Sequence, residues 1–257
     1  MGTKASGLTN LCGALLGSLQ LLASKPSKSP LKIDLAGPIE AVLTPCLHDT
    51  DAVVRRGAAQ CVGLLGGLLG EPYAAKFAQA AEAQLTNPKN REEARGAYAL
   101  ALGWLLQGQG GGGVSGGVNG VGGGVVAPAE GYASRLKATL RLLMPLAADP
   151  SPLVSEWALH ALHSAVEAAR AHVGLPHVAS CIGLASTVVL SDPPPSPRAA
   201  LVVARLSGSL LGALGASPEA AAATPNPNPN PNPNPNPDPS PNPNPNPSPN
   251  LHSAARR

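Results

Sequence analysis

Aromatic residues are nearly absent from this chain of 257 residues, which has one Phe, three Tyr and two Trp. Strands favour aromatic and β-branched side chains, so a β-sandwich core is not expected. Apolar residues still make up 44% of the chain, mostly as Leu, Ala and Val. This composition favours an all-α protein with closely packed helices and a core large enough for one or two domains.

Charge is also scarce. Charged residues make up 13% of the chain and the net charge is +3. No run of Lys or Arg is longer than the pairs Arg55-Arg56 and Arg256-Arg257. Nucleic-acid binding needs a basic patch or stripe, so no nucleic-acid partner is predicted.

The four cysteines do not form a recognisable framework. None is in CxxC spacing with another, which leaves no zinc or dithiol motif. We expect buried thiols in a reducing compartment and therefore a cytosolic chain. The four are Cys12, Cys46, Cys61 and Cys181.

Signals for membrane attachment are weak. No stretch is expected to reach the ~18 uninterrupted apolar residues of a membrane span. The nearest candidate, 199–215, is interrupted by Arg205 and two serines. The chain begins MGTKAS, which matches the myristoylation pattern with Gly2 as acceptor, a match that short patterns also give by chance. We expect no transmembrane segment, while partners could bring the protein to a membrane surface.

Two segments have low complexity. Residues 107–130 contain the run GQGGGGVSGGVNGVGGG and are predicted to be a flexible insertion, because glycine neither holds a helix nor packs. Residues 220–257 are dominated by Asn-Pro repeats. Proline removes every second N–H donor there, so a disordered, polyproline-like tail is predicted.

The rest of the chain has helical periodicity. Apolar residues recur at three- and four-residue spacing, and several stretches begin with Pro or just after Asp, Ser or Asn. Two helical blocks are predicted, 7–106 and 131–219. The predicted helices are 7–24, 38–48, 51–70, 72–85, 91–107, 133–148, 152–172, 176–190 and 197–215.

An internal repeat connects these helices. AVVRRGAAQCVGLLG from Ala52 aligns with EEARGAYALALGWLL from Glu92 at an offset of 40 residues, which places Arg55 on Arg95. SPLVSEWALHALHSA aligns with the segment from Asp51 at an offset of 100 residues. That second alignment places Asp49 on Asp149 and Val54 on Val154.

An Asp, a hydrophobic pair and then an Arg resembles the HEAT-repeat signature. Each repeat would be two antiparallel helices, with the Asp capping the second helix and pairing with an Arg of its own or an adjacent repeat. Armadillo and tetratricopeptide arrays have a similar period, but the Asp-to-Arg spacing favours HEAT. In the third copy Ser155 and Glu156 replace the arginines, so a break in the ladder is expected. The predicted ladder residues are Asp49, Val54, Arg55, Arg95, Asp149 and Val154.

Three longer segments resemble the HEAT-repeat-containing protein 5 family, whose plant members are called SWEETIE. They are GAYALALGWLL, LLMPLAADPSPLVSEWALHALHSAVEAA and ARLSGSLLGALGASPE, within 38–219. The resemblance implies a piece of a much longer cytosolic solenoid that associates with the clathrin adaptor complex and its accessory subunits. It further implies endocytosis and endosome-to-Golgi retrograde transport, with possible Golgi or endosome association.

Catalytic chemistry is not indicated. Glu156, His160 and His163 share one helix face and could approach a cation, but they do not form H-E-x-x-H. Such residues are more often ordinary rim residues of a helix. The glycine run contains a literal G-x-G-x-x-G that follows a helix instead of a strand, which argues against a phosphate loop. We predict no catalytic, cofactor or metal residues and no enzyme; a HEAT-like hydroxylase would need repeated His-Glu dipeptides, which are absent.

Two other interpretations remain from the sequence. Trp104 and Trp157 either fill gaps between repeats, the commoner role, or anchor a partner at the surface. The fold alone would equally suit a HEAT adaptor of another pathway, such as nuclear transport or a phosphatase scaffold.

Overall fold

The structure is a computed structural model that describes residues 2–24, 36–109, 131–169, 173, 175–192 and 194–216. Most of the glycine-rich insertion and the whole Asn-Pro tail lie outside these residues, as does the second compact unit, Thr224–Arg257. The described residues belong to one compact unit within Met1–Ala223. Within them the chain forms nine α-helices and no strand, which confirms the prediction of an all-α protein. The helices are α1 (Gly2–Ala23), α2 (Ala36–Leu47), α3 (Ala52–Leu69), α4 (Glu71–Thr86), α5 (Glu92–Gln109), α6 (Tyr132–Ala147), α7 (Pro152–Ala169), α8 (Leu175–Val189) and α9 (Pro197–Ala216).

The helix bounds follow the sequence signals closely. Asp51 caps α3, because its carboxylate accepts a hydrogen bond from the Val53 N–H at 2.8 Å. Gly70 ends α3 with φ of 75°, a left-handed conformation that favours glycine, and Pro72 follows in the first turn of α4. Helix α5 runs to Gln109, two residues past the predicted end. The first three residues assigned to the flexible insertion are therefore helical.

Alternate helices form a continuous row. Helix α3 packs against α1 and α5, α5 against α7, and α7 against α9. The even-numbered helices lie beside this row, with α2 on α3, α4 on α5, α6 on α7 and α8 on α9. The buried apolar core runs along the whole row, because each odd-numbered helix in its interior is covered on both sides.

Glycine sets the closeness of the joints within the row. A Cβ atom on Gly63 of α3 would lie 2.6 Å from the Trp104 carbonyl oxygen of α5, and one on Gly103 of α5 would lie 2.6 Å from the Ala161 Cα atom of α7. Gly108 lies against the backbone of Gly63 in the same way. Main chains meet directly at these joints, so the close approach expected from the small residues is present.

The thiols are buried, as the sequence predicted. Cys46, Cys61 and Cys181 have no exposed surface and Cys12 is 3% exposed. All four are free. Burial raises the pKa of both Cys46 and Cys181 to about 11, so both are neutral thiols at physiological pH.

Candidate functional site

The turns before α3 and α7 share one side-chain hydrogen bond at the offset of 100 residues. The Asp49 carboxylate accepts from the Asp51 N–H at 2.8 Å, and the Asp149 carboxylate accepts from the Ser151 N–H at 3.0 Å. The capping bonds differ in reach, because Ser151 Oγ accepts from the Val154 N–H three residues on, at 3.4 Å, whereas the Asp51 carboxylate accepts from the Val53 N–H two residues on. The helix caps are thus Asp51 and Ser151. The expectation that Asp49 caps α3 directly is wrong, because its side chain orders the turn two residues earlier.

Two of the predicted ladder residues meet across neighbouring odd-numbered helices. Arg95 Nη2 of α5 lies 2.5 Å from Asp149 Oδ2, in the turn before α7, and both side chains are largely buried. Arg55 makes no equivalent ion pair with Asp49. Its Nη1 donates instead to the carbonyl oxygens of Asp49 and Thr50, each at 2.8 Å.

In the third copy of the repeat, a side chain near the start of α7 still donates to a backbone carbonyl that precedes the helix, although no arginine stands there. Ser155 stands where Arg55 does in the first copy, and its Oγ donates to the Ala147 carbonyl at 2.7 Å. The two valines of the ladder, Val54 and Val154, are buried. Val53, the other member of the hydrophobic pair, is 70% exposed, so the pair does not act together as an anchor.

The two tryptophans lie in different environments. Trp157 of α7 is 4% exposed, passes over Gly96 of α5 and reaches Arg55 of α3, whose Cζ atom lies 5.0 Å from the ring centroid. This contact is a cation–π interaction within the core. Trp104 is only half-buried, since its ring reaches the surface between α3 and α7.

A groove opens beside Trp104 across three consecutive odd-numbered helices. It has a volume of about 220 Å³. Helix α3 contributes Arg56 and Gln60, and α7 contributes His160 and Ser164. Leu100, Trp104 and Trp157 form the apolar part of the lining.

The groove is electropositive. Burial together with the positive charges of Arg56, His163 and Arg205 lowers the pKa of His160 to about 4. His160 is therefore neutral at physiological pH and can donate one ring N–H. No carboxylate is among the lining residues that the structure describes.

The histidines do not gather metal ligands. His163 Nε2 lies 3.3 Å from the Glu167 carboxylate one turn later, on α7 itself. In the part of the chain that the structure describes, no group of three or more His, Cys, Asp or Glu side chains is placed to hold a metal ion. Glu156, His160 and His163 belong instead to the surface of α7 around the groove.

Two helices are long and apolar enough to be candidate membrane spans, although each of these stretches contains two arginines. The first is α3 over Ala52–Leu69, of which 56% is buried in the fold, and the second is α9 over Pro197–Gly215, of which 39% is buried. Core helices of soluble proteins pass the same test. Helix α3 packs between α1 and α5, which is the environment of such a core helix.

Sequence reasoning missed Arg56, Gln60 and Ser164 as groove residues. They come from two helices, α3 and α7, and share no motif. The one available signal was Arg56 itself, because it directly follows an arginine that the repeat places in the core.

Comparison of the chain with family models, curated proteins and solved structures gives no match.

Proposed function

We propose that this protein is a non-enzymatic scaffold built from HEAT repeats, which binds partner proteins along the row of odd-numbered helices. The observation that carries the proposal is the groove formed by α3, α5 and α7 together. One surface shared by successive repeated helices is the usual binding surface of helical solenoids.

The repeated turns support the HEAT assignment. The equivalent hydrogen bonds of Asp49 and Asp149, 100 residues apart, are what two copies of one unit would give, and the Arg95–Asp149 ion pair connects successive odd-numbered helices. The alternation of a continuous row with flanking helices is what stacked helix pairs would give.

The cellular role proposed is clathrin-adaptor-dependent vesicle trafficking, including endocytosis and endosome-to-Golgi transport, as one part of a longer cytosolic solenoid. Its support is the resemblance of the segments around Gly96–Leu106, Leu142–Ala169 and Ala204–Glu219 to a trafficking family. The first two segments contribute Leu100, Trp104, Trp157, His160 and Ser164 to the groove. The partners proposed are the clathrin adaptor complex and its accessory subunits, reached at Golgi, endosomal or endocytic membranes.

Affinity capture from cell lysate, followed by mass spectrometry, tests this role. The tagged chain should recover clathrin-adaptor subunits, and a Trp104→Ala variant should recover less of them. A matched control is Tyr132→Phe, which keeps a buried ring away from the groove. Recovery of importins, phosphatase subunits or chaperones in place of adaptors would contradict the trafficking role.

A further inference from the structure

We propose that the groove between α3, α5 and α7 binds an acidic segment of a partner protein, whose carboxylates meet Arg56 in the groove and Arg205 on α9, the next helix of the row, while an apolar side chain rests on Trp104. This inference rests on the proposed function, because it names the class of ligand that the scaffold would bind.

Every polar side chain that lines the groove can donate a hydrogen bond, and two of them, Arg56 and Trp104, can only donate. Gln60, Ser164 and the neutral His160 can also accept. A ligand that satisfies Arg56 and Trp104 must therefore supply acceptors. Carboxylates supply acceptors and negative charge together, and a guanidinium binds them in a bidentate geometry.

Arg56 and Arg205 are available for such a ligand. Both side chains are exposed, and no carboxylate of the described residues lies at ion-pair distance from either. Other arginines are already engaged, such as Arg95 with Asp149 and Arg135 with Glu71.

The surroundings of His160 report the same unbalanced charge. Arg56 on α3, His163 on α7 and Arg205 on α9 all disfavour its protonation, and none of the groups that shift its pKa is an acid. The Glu167 carboxylate lies 3.3 Å from His163 Nε2 and also accepts from Ser209 Oγ at 2.9 Å, so it is engaged by both α7 and α9. A bound carboxylate would supply the missing negative charge and make protonation of His160 easier.

The size of the groove favours a peptide over a free metabolite. Its volume of about 220 Å³ lies below the ~300–1,000 Å³ of typical small-molecule sites. It accommodates one or two side chains of a longer segment that continues over the surface. The half-buried Trp104 ring gives such a segment an apolar contact beside the charges, and Trp and Arg are the residue types that most often dominate binding energy at interfaces.

A peptide titration of the full chain tests the inference. The probe is a fluorescein-labelled acidic peptide, Gly-Asp-Glu-Leu-Glu-Glu-Leu-Gly, and its control has Asn and Gln in place of Asp and Glu. We expect the acidic peptide to bind at least tenfold more tightly by fluorescence anisotropy, with affinity falling as salt rises. Arg56→Gln together with Arg205→Gln should weaken binding about tenfold or more, whereas Arg141→Gln, an exposed arginine on α6, should leave it unchanged.

A second readout follows His160 directly. The NMR titration of its Cε1–H should show a higher pKa with the acidic peptide bound than without it. The inference would be overturned if the neutral peptide bound as tightly as the acidic one, or if Arg141→Gln weakened binding as much as the double arginine variant. An unchanged pKa of His160 on peptide binding would overturn it too. Binding to phosphatidylserine vesicles without peptide binding would overturn it as well, since the anion site would then be a lipid site.

The two proposals fail separately. Adaptor subunits captured equally by the wild-type chain and by the Arg56→Gln, Arg205→Gln variant would overturn the acidic groove and leave the scaffold role intact. Tight peptide binding without adaptor capture would overturn the trafficking role and leave the groove intact. Circular dichroism and a thermal melt of each variant establish that it is folded.

Discussion

Arg95 Nη2 lies 2.5 Å from Asp149 Oδ2, which joins the first turn of α5 to the turn that precedes α7. The Asp149 side chain has two roles, because its other oxygen accepts the Ser151 N–H at 3.0 Å. One carboxylate therefore orders its own turn and ties it to the neighbouring helix.

Removal of this ion pair should destabilise the fold. Arg95→Ala leaves a largely buried carboxylate without its partner, so we expect the free energy of unfolding to fall by about 2–3 kcal/mol. Urea denaturation of Arg95→Ala, of Asp149→Ala and of the double variant gives the coupling energy between the two side chains. Lys76→Ala, which breaks the more exposed Lys76–Glu40 pair at 2.7 Å, should cost less than about 1 kcal/mol. A similar cost for both pairs would contradict this difference in burial.

Two glycine-to-alanine changes should have opposite effects. Gly103→Ala places a Cβ atom 2.6 Å from the Ala161 Cα atom, so the α5–α7 joint must open, and we expect a loss of about 2 kcal/mol or more. Gly208→Ala on α9 meets no atom within 4 Å and should stabilise by about 0.5–1 kcal/mol through helix propensity. Thermal melts of both variants measure the two changes in stability. Stabilisation in both would mean that the main chains do not meet at the joint.

His160 should make stability depend on pH. Its pKa is about 4 in the folded chain, against about 6.5 for an unperturbed histidine, so the unfolded chain binds more protons between these values. The contribution is fully present above about pH 6.5 and is lost as pH falls towards 4. Urea denaturation across this range should show a smaller loss of stability in His160→Gln than in the wild-type chain.

The charge of Arg205 should set part of this pH dependence. In Arg205→Gln one of the groups that disfavour protonation is gone, so NMR should find a higher pKa for His160. Arg198→Gln, an exposed arginine earlier on α9, serves as the control and should not move it. A matching rise in the control would mean that the effect is not local.

The cap of α3 should be replaceable by the residue found at the equivalent turn. Asp51→Ala removes the 2.8 Å bond to the Val53 N–H and should cost about 1 kcal/mol. Asp51→Ser should cost much less, because Ser151 caps α7 from the equivalent position, through the N–H three residues on. Urea denaturation of the two variants checks the order, and an equal loss in both would show that the side-chain acceptor is not what stabilises the turn.

Local patterns predicted the helices well, since their signals lie within a few residues. Asp51, Gly70 and Pro72 act through hydrogen bonds and dihedral angles close to their own positions. The alignment that placed Arg55 on Arg95 also located two residues with similar positions in the row. Their partners differ, because Arg55 turns back to its own preceding carbonyls while Arg95 reaches the next turn.

The groove could not be read from the sequence in this way. Arg56 and His160 are about 100 residues apart in the chain, and their proximity depends on the order in which helices stack. Adjacent residues also have opposite environments, since about 100° of helical rotation separates them. Arg55 is buried while Arg56 is exposed, and Val54 is buried while Val53 is exposed.

The glycine contacts between helices fix the spacing of the surface positions above them. Where Gly63 meets the Trp104 carbonyl and Gly103 meets Ala161, the spacing of α3, α5 and α7 is set by main chain against main chain. No long side chain lies at these contacts that could change rotamer and let the helices separate. The helix positions that carry Arg56 and His160 are therefore held at a fixed spacing across α5. For the proposed acidic segment, the spacing of charged and apolar side chains along its sequence should matter as much as its total charge.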